Sequence, residues 1–146
     1  MQLTEHFADS ELGVAGCGSR LIANATYLCM ELLEPLRAQF GTIAVHDGYR
    51  DPGHNVRVGG KPSSFHLYED GRAAADVSAV QATCDALFDW IRLDSGLPFD
   101  KVILEFNAAG FAATVHVQID ANNAPRREAY MGSTGAGTVY TPVVVK

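Results

Sequence analysis

The stretch from Asp51 to Gly71 constrains this chain more than any other. It carries Pro52-Gly53, Gly59-Gly60, Pro62, Ser63 and Ser64, residues that interrupt periodic structure and favour turns. A loop of this length is uncommon inside a compact fold unless it serves a function. The chain has 146 residues, which suits a single domain, 1–146, built on one core. The elements on either side of the loop must therefore close around it.

Those elements can be read from periodicity. Leu28, Leu32, Leu36 and Phe40 recur every fourth residue and predict a helix from Asn24 to Phe40 with one apolar stripe. Pro35 should kink it and Gly41 should stop it. Ile43 to His46 reads as a short strand, with Asp47-Gly48 turning the chain. Ala73 to Val77 reads as a strand leading out of the loop. A second helix is expected from Ser78 to Leu93, with Ser78 and Gln81 as a capping box and Val80, Cys84, Leu87, Phe88 and Ile91 on one face. Lys101 to Phe106 and Ala113 to Ile119 read as antiparallel neighbours joined through Asn107 to Phe111. At the start, Leu3 to Phe7 reads as an extended arm and Asp9-Ser10 as the cap of one helical turn. The end, residues 132–146, reads as an extended tail whose Gly135 to Val145 part adds an edge strand or grips a partner. The fold class expected is α+β, a small antiparallel sheet packed by two main helices.

Composition narrows the function. Apolar residues make up 47% and charged residues 19%, as in a soluble globular protein. The net charge is −6 and the 11 Lys and Arg are scattered, so no groove for nucleic acid is expected. No apolar run is long enough to cross a membrane, and no basic segment followed by an apolar one marks a signal peptide. Synthesis in the cytoplasm is expected, and any target beyond it would be reached by lysis or on a larger particle. Cys17, Cys29 and Cys84 match no metal-binding spacing. Cys29 and Cys84 fall on apolar helix faces as small hydrophobes.

Three chemical features converge on the loop and the strands around it. Gly48-Tyr49-Arg50 follows the first strand, Ser64, His66 and Asp76 lie along the loop and its exit, and His116 lies between Val115 and Val117. Two histidines and one carboxylate can supply the three protein ligands of a catalytic zinc that keeps one position open for water. From the residues alone each also has an ordinary reading. His116 would be a strand histidine, His66 a surface loop residue, Asp76 a helix cap and Arg50 an ion-pair partner.

The segment Gly48-Tyr49-Arg50-Asp51-Pro52, then His54-Asn55, Val58-Gly59-Gly60, Ser64 and His66, closely resembles the zinc D-Ala-D-Ala carboxypeptidase family. That family includes the L-alanyl-D-glutamate endopeptidases of phage endolysins. The resemblance continues through Gly71-Arg72-Ala73-Ala74-Ala75-Asp76 and Thr114-Val115-His116-Val117. Leu3-Thr4-Glu5-His6-Phe7, Leu97-Pro98-Phe99-Asp100 and Glu105-Phe106 extend it over nearly the whole chain. It implies a Zn2+ peptidase acting on peptidoglycan stem peptides, with His66, Asp76 and His116 as ligands. It also implies Arg50 as the partner of a peptide carboxylate, Ser64 as a further substrate contact, and Glu105 as the general base.

The chain also departs from the family pattern. Nine residues separate His66 from Asp76, more than usual, which admits Asp70 as a rival ligand. Ala113 stands where many relatives carry an acid, Thr114 where they carry Trp, and Asp47 where Ser or Thr precedes the Gly-Tyr-Arg turn. A second reading is thus an inactive peptidase fold serving as a structural or binding component of a phage particle, with the tail contacting virion or tail subunits. A third is a cytosolic zinc enzyme acting on another amide.

Overall fold

The computed structural model describes residues 1–133 and 139–146. The fold is α+β. Six strands, β1 (Ile43–Asp47), β2 (Arg72–Ala79), β3 (Lys101–Phe106), β4 (Ala112–Asp120), β5 (Glu128–Ser133) and β6 (Thr141–Val143), form one open sheet. Their order is β1-β2-β4-β3-β5-β6. β3 and β4 are antiparallel neighbours, as their apolar patterns require. The sheet as a whole is mixed rather than antiparallel, because β5 runs parallel to β3 on the side away from β4.

Strand alternation gives the sheet two unlike faces. Ala73, Ala75 and Val77 of β2, Val115, Val117 and Ile119 of β4, and Val102 and Leu104 of β3 are buried in one apolar core. The helices cover that face. α1 (Ser19–Leu28), a π turn (Cys29–Leu33) and α2 (Glu34–Phe40) run on as one rod. Leu28, Leu32 and Leu36 enter the core as the four-residue repeat demands. The rod starts earlier than Asn24, and the irregularity expected at Pro35 lies just before it. Pro35 has no N–H and its ring crowds the carbonyl four residues back. The Glu34 N–H bonds to the Cys29 carbonyl five residues back, and the widened turn absorbs the mismatch. Cys29 is fully buried there, and burial, with Glu34 and Glu11 nearby, pushes its thiol up to about 12. Such a thiol packs as a hydrophobe and does not react.

The second helix begins later than its sequence signal. Ser78 belongs to β2, pairs with Ala44, and its hydroxyl meets His46 Nε2 at 2.7 Å. Strand pairing therefore overrides the capping box, and Val80 is exposed. The true N-cap is Thr83, whose Oγ1 accepts from the Ala86 N–H at 3.1 Å. α4 (Cys84–Asp89) follows and passes into a π turn (Trp90–Asp94), with Leu87, Phe88 and Ile91 in the core.

Three other expectations change. The long loop contains α3 (Pro52–Arg57), capped by the Asp51 carboxylate on the His54 N–H, and a 3-10 turn (Phe65–Leu67). The segment around Leu3 is a tight loop closed by a Gln2–Ala8 bridge, not an extended arm. Asp9-Ser10 opens a turn, not a helix, with the Val14 N–H bonded to the Asp9 carbonyl. Of the expected tail strand from Gly135 to Val145, residues 134–138 lie outside the described residues. The described part contributes β6, antiparallel to β5 at the sheet edge.

Candidate metal centre

The sheet face away from the core lines a cleft of about 1300 Å³. Register decides what points into it. Asp76 of β2 pairs with His116 of β4, and His116 pairs with Ile103 of β3, so all three share that face. Glu105 pairs with Thr114, two residues before His116, so Glu105 also faces the cleft. A slip of one residue would have turned it into the core. Ala113, left between the Glu105–Thr114 and Phe106–Ala112 pairs, is the extra residue of a β-bulge. It is exposed, so the position that carries an acid in many relatives does not contribute to this cleft.

His66 comes from the other wall. Ser64 caps the 3-10 turn, its Oγ accepting the His66 N–H at 3.2 Å. The Arg50 N–H donates to the His66 carbonyl at 2.8 Å, binding the Gly48-Tyr49-Arg50 turn to the histidine loop. Tyr68 anchors the loop from below. It is fully buried at φ 54°, its hydroxyl donates to the Ala74 carbonyl, and its own carbonyl accepts from Asn24 of α1.

His66, Asp76 and His116 each place one ligand atom within 4.8 Å of the others. His66 Nε2 lies 3.5 Å and His116 Nδ1 lies 3.0 Å from the same Asp76 oxygen, Oδ1. Ligands at zinc distances in a tetrahedron stand about 3.3 Å apart, so the spacing fits. The proton positions fit as well. His66 Nδ1 is 2.7 Å from the Gly48 carbonyl oxygen, which only accepts, so its proton lies on Nδ1. His116 Nε2 is 2.7 Å from the Gln118 side-chain oxygen, which also only accepts. The nitrogens left facing Asp76 are therefore the lone-pair-bearing ones in the neutral rings. Two lone pairs and a carboxylate aimed at one point form a site that a metal cation would fill; without one, a protonated ring donates to Asp76 instead. Asp70 is exposed at the loop tip and takes no part.

The electrostatics follow the same geometry. Burial pushes Asp76 up, but hydrogen bonds and charge from His116 and His66 more than offset it and hold the carboxylate well below its ordinary range. Burial alone would depress His116, yet Asp76 raises it above its ordinary value. Glu105 is pushed up to about 7, first by burial and then by the charge of Asp76, against the opposing pull of His116 and Arg50. Arg50 Nε is held by Asp47 Oδ2 at 2.6 Å, while its other nitrogens are 3.5 Å or more from Asn55 Oδ1 and Asp76 Oδ2. Asp47 thus orients the guanidinium and leaves its outer edge toward the cleft.

Sequence reasoning missed three polar residues beside the site. Gln118 Nε2 donates to Asp100 Oδ2 at 2.7 Å, and Arg126 grips Asp100 through Nε and Nη2 at 2.8 and 2.7 Å. Gln118 was within reach of the strand pattern, being two residues from His116. Asp100 and Arg126 gave no such signal, since their pairing spans a turn and two strands.

Compared with known protein families, the chain matches the model of the family described as Peptidase M15 over residues 4–118. That span includes Arg50, Ser64, His66, Asp76, Glu105 and His116. No curated protein sequence matches the chain.

Proposed function

Because the chain belongs to the peptidase M15 family, we propose that it is a zinc peptidase that hydrolyses peptide bonds in the stem peptides of bacterial peptidoglycan. The observation that carries this reading is the convergence of His66 Nε2, Asp76 Oδ1 and His116 Nδ1 in a cleft shared with Glu105 and Arg50. A zinc ion held by these three would polarise the scissile carbonyl and lower the pKa of its bound water toward ~7.

The chain's own residues do the rest. Glu105, whose buried carboxyl faces the cleft beside the three ligands, takes a proton from the attacking water and returns it to the leaving amine. The outer edge of Arg50 takes a carboxylate of the stem peptide in a two-pronged grip. Ser64, whose oxygen already accepts the His66 N–H, keeps its hydroxyl proton for the substrate. An enzyme of this kind would work as a phage endolysin or a virion-borne peptidase at the cell wall.

The test is metal analysis of the purified protein combined with mass spectrometry of a muropeptide digest. About one zinc per chain and zinc-dependent shortening of the stem peptide are expected. No zinc in the purified protein and no cleavage after zinc is supplied would refute the reading. A second reading, an inert component of a phage particle, is favoured by β6, a short strand at the open edge of the sheet to which a neighbouring subunit could add a strand. It predicts particle association without cleavage.

A further inference from the structure

We infer that Gln118 is a positioning residue for the metal centre, held by Asp100 and Arg126 so that His116 presents Nδ1, and not Nε2, to Asp76. The inference rests on the zinc reading for its consequence, but its geometry stands on hydrogen bonding alone.

Gln118 follows His116 by two residues in β4, so both side chains emerge on the cleft face. They are buried, at 5% and 8% exposure, and Asp100 beside them is at 3%. A buried amide has two unlike ends, and its orientation is settled by what each end meets. Asp100 is gripped by Arg126 through two parallel bonds, at 2.8 and 2.7 Å. Arg126 and Gln118 together hold Asp100 below the ordinary carboxylate range, against the push of burial. It can then only accept. The Gln118 amide must turn its NH2 toward Asp100, at 2.7 Å, and its carbonyl oxygen toward His116 Nε2, at 2.7 Å. That oxygen only accepts, so the ring proton sits on Nε2. The lone pair of neutral His116 is thereby left on Nδ1, 3.0 Å from Asp76 Oδ1.

Each link dictates the next, from a half-exposed guanidinium to a buried ligand atom. A flipped amide would set its oxygen against the Asp100 carboxylate, with neither group able to donate. His66 obtains the same service from a backbone carbonyl, that of Gly48. His116 lies mid-strand, where the backbone carbonyls are committed to the sheet, and needs a side chain instead. Partners of this kind typically change metal affinity 10- to 100-fold when removed.

The test uses the full chain, Gln118→Leu and Arg126→Ala. Zinc affinity is measured by competition with a chromophoric chelator, and the His116 tautomer by long-range proton–nitrogen NMR on metal-free protein, at a pH where the ring is neutral. Wild type should show Nε2–H. Q118L should bind zinc about 10- to 100-fold more weakly and lose the single tautomer. R126A, altered at a half-exposed position and able to serve if Q118L does not fold, should weaken zinc in the same direction by a smaller factor. Zinc affinity unchanged in both variants, or a neutral wild-type His116 carrying its proton on Nδ1, would overturn the inference. Failure of wild type to bind zinc would overturn the peptidase reading instead, and the tautomer measurement would still decide the role of Gln118.

Discussion

Glu105→Gln in metal-free protein should reveal the strain that makes Glu105 useful. Its carboxyl is raised from near 4.5 to about 7 by burial and by the nearby Asp76. Between those two values the folded protein holds a proton that the unfolded chain has released, so folding stability falls as pH rises through the window. Below it both states are protonated and nothing is lost. Above it the full penalty applies, about 3 kcal/mol for a carboxyl displaced this far. Glutamine has the shape of the protonated acid and never ionises. The variant and wild type should therefore be equally stable near pH 4.5, and the variant should gain about 3 kcal/mol by pH 8, or roughly 6–12 °C in Tm. Thermal and urea unfolding in chelator at several pH values would measure the difference, in which the contributions of His116 and the other carboxylates largely cancel. Added zinc should shrink the gain, because a nearby dication favours the ionised carboxylate. A difference that does not change with pH, or a variant less stable than wild type at pH 8, would refute the assigned environment of Glu105 and with it the case for a poised base.

Arg50→Lys keeps the charge but loses the planar fork; KM for a muropeptide should rise about tenfold, with zinc content unchanged by metal analysis. Gly48→Ala would place a methyl carbon 2.5 Å from the Leu12 carbonyl oxygen, a backbone atom that cannot turn aside. It should cost about 2–3 kcal/mol by urea unfolding and also weaken zinc, since the Gly48 carbonyl orients His66. Thr83→Ala should lose about 1 kcal/mol as the true helix cap, while Ser78→Ala should stay within about 0.5 kcal/mol. The reverse order would mean that the capping box read from the sequence is real.

The parts of the fold legible in the sequence are those where local pattern and tertiary packing agree. The leucine stripe of the first helix and the valines around His116 encode both an element and its buried face. Ser78 shows the opposite case, a good local signal overruled because pairing with Ala44 of β1 and the contact with His46 hold it in the strand. α3 was readable, since an Asp followed by Pro is the start of a helix, but the surrounding glycines masked it. β5 has only Ala129 and Met131 facing inward, too short an alternation to stand out. At the site, His66 and His116 carry their chemistry in their residue type, whereas Asp100 and Arg126 act only through partners that the fold brings to them.

The long spacing between His66 and Asp76 illustrates how a metal site tolerates change in one chain direction and not in another. His66 is fixed by the 3-10 turn and by Gly48, with Tyr68 tying its loop to β2 at Ala74. Asp76 is fixed by pairing with His116, four residues into a strand that starts at Arg72. Between the buried anchor Tyr68 and the start of β2 at Arg72 lies a short turn, Glu69 to Gly71, with Asp70 in the left-handed region, and this turn places no demand on either ligand. Lengthening that turn costs little. Shifting β2 by one residue against β4 would instead send Asp76 into the apolar core and bring Ala75 or Val77 to the cleft. Sequence spacing is therefore a weak guide to this ligand set, and strand register is the quantity that the fold has to conserve.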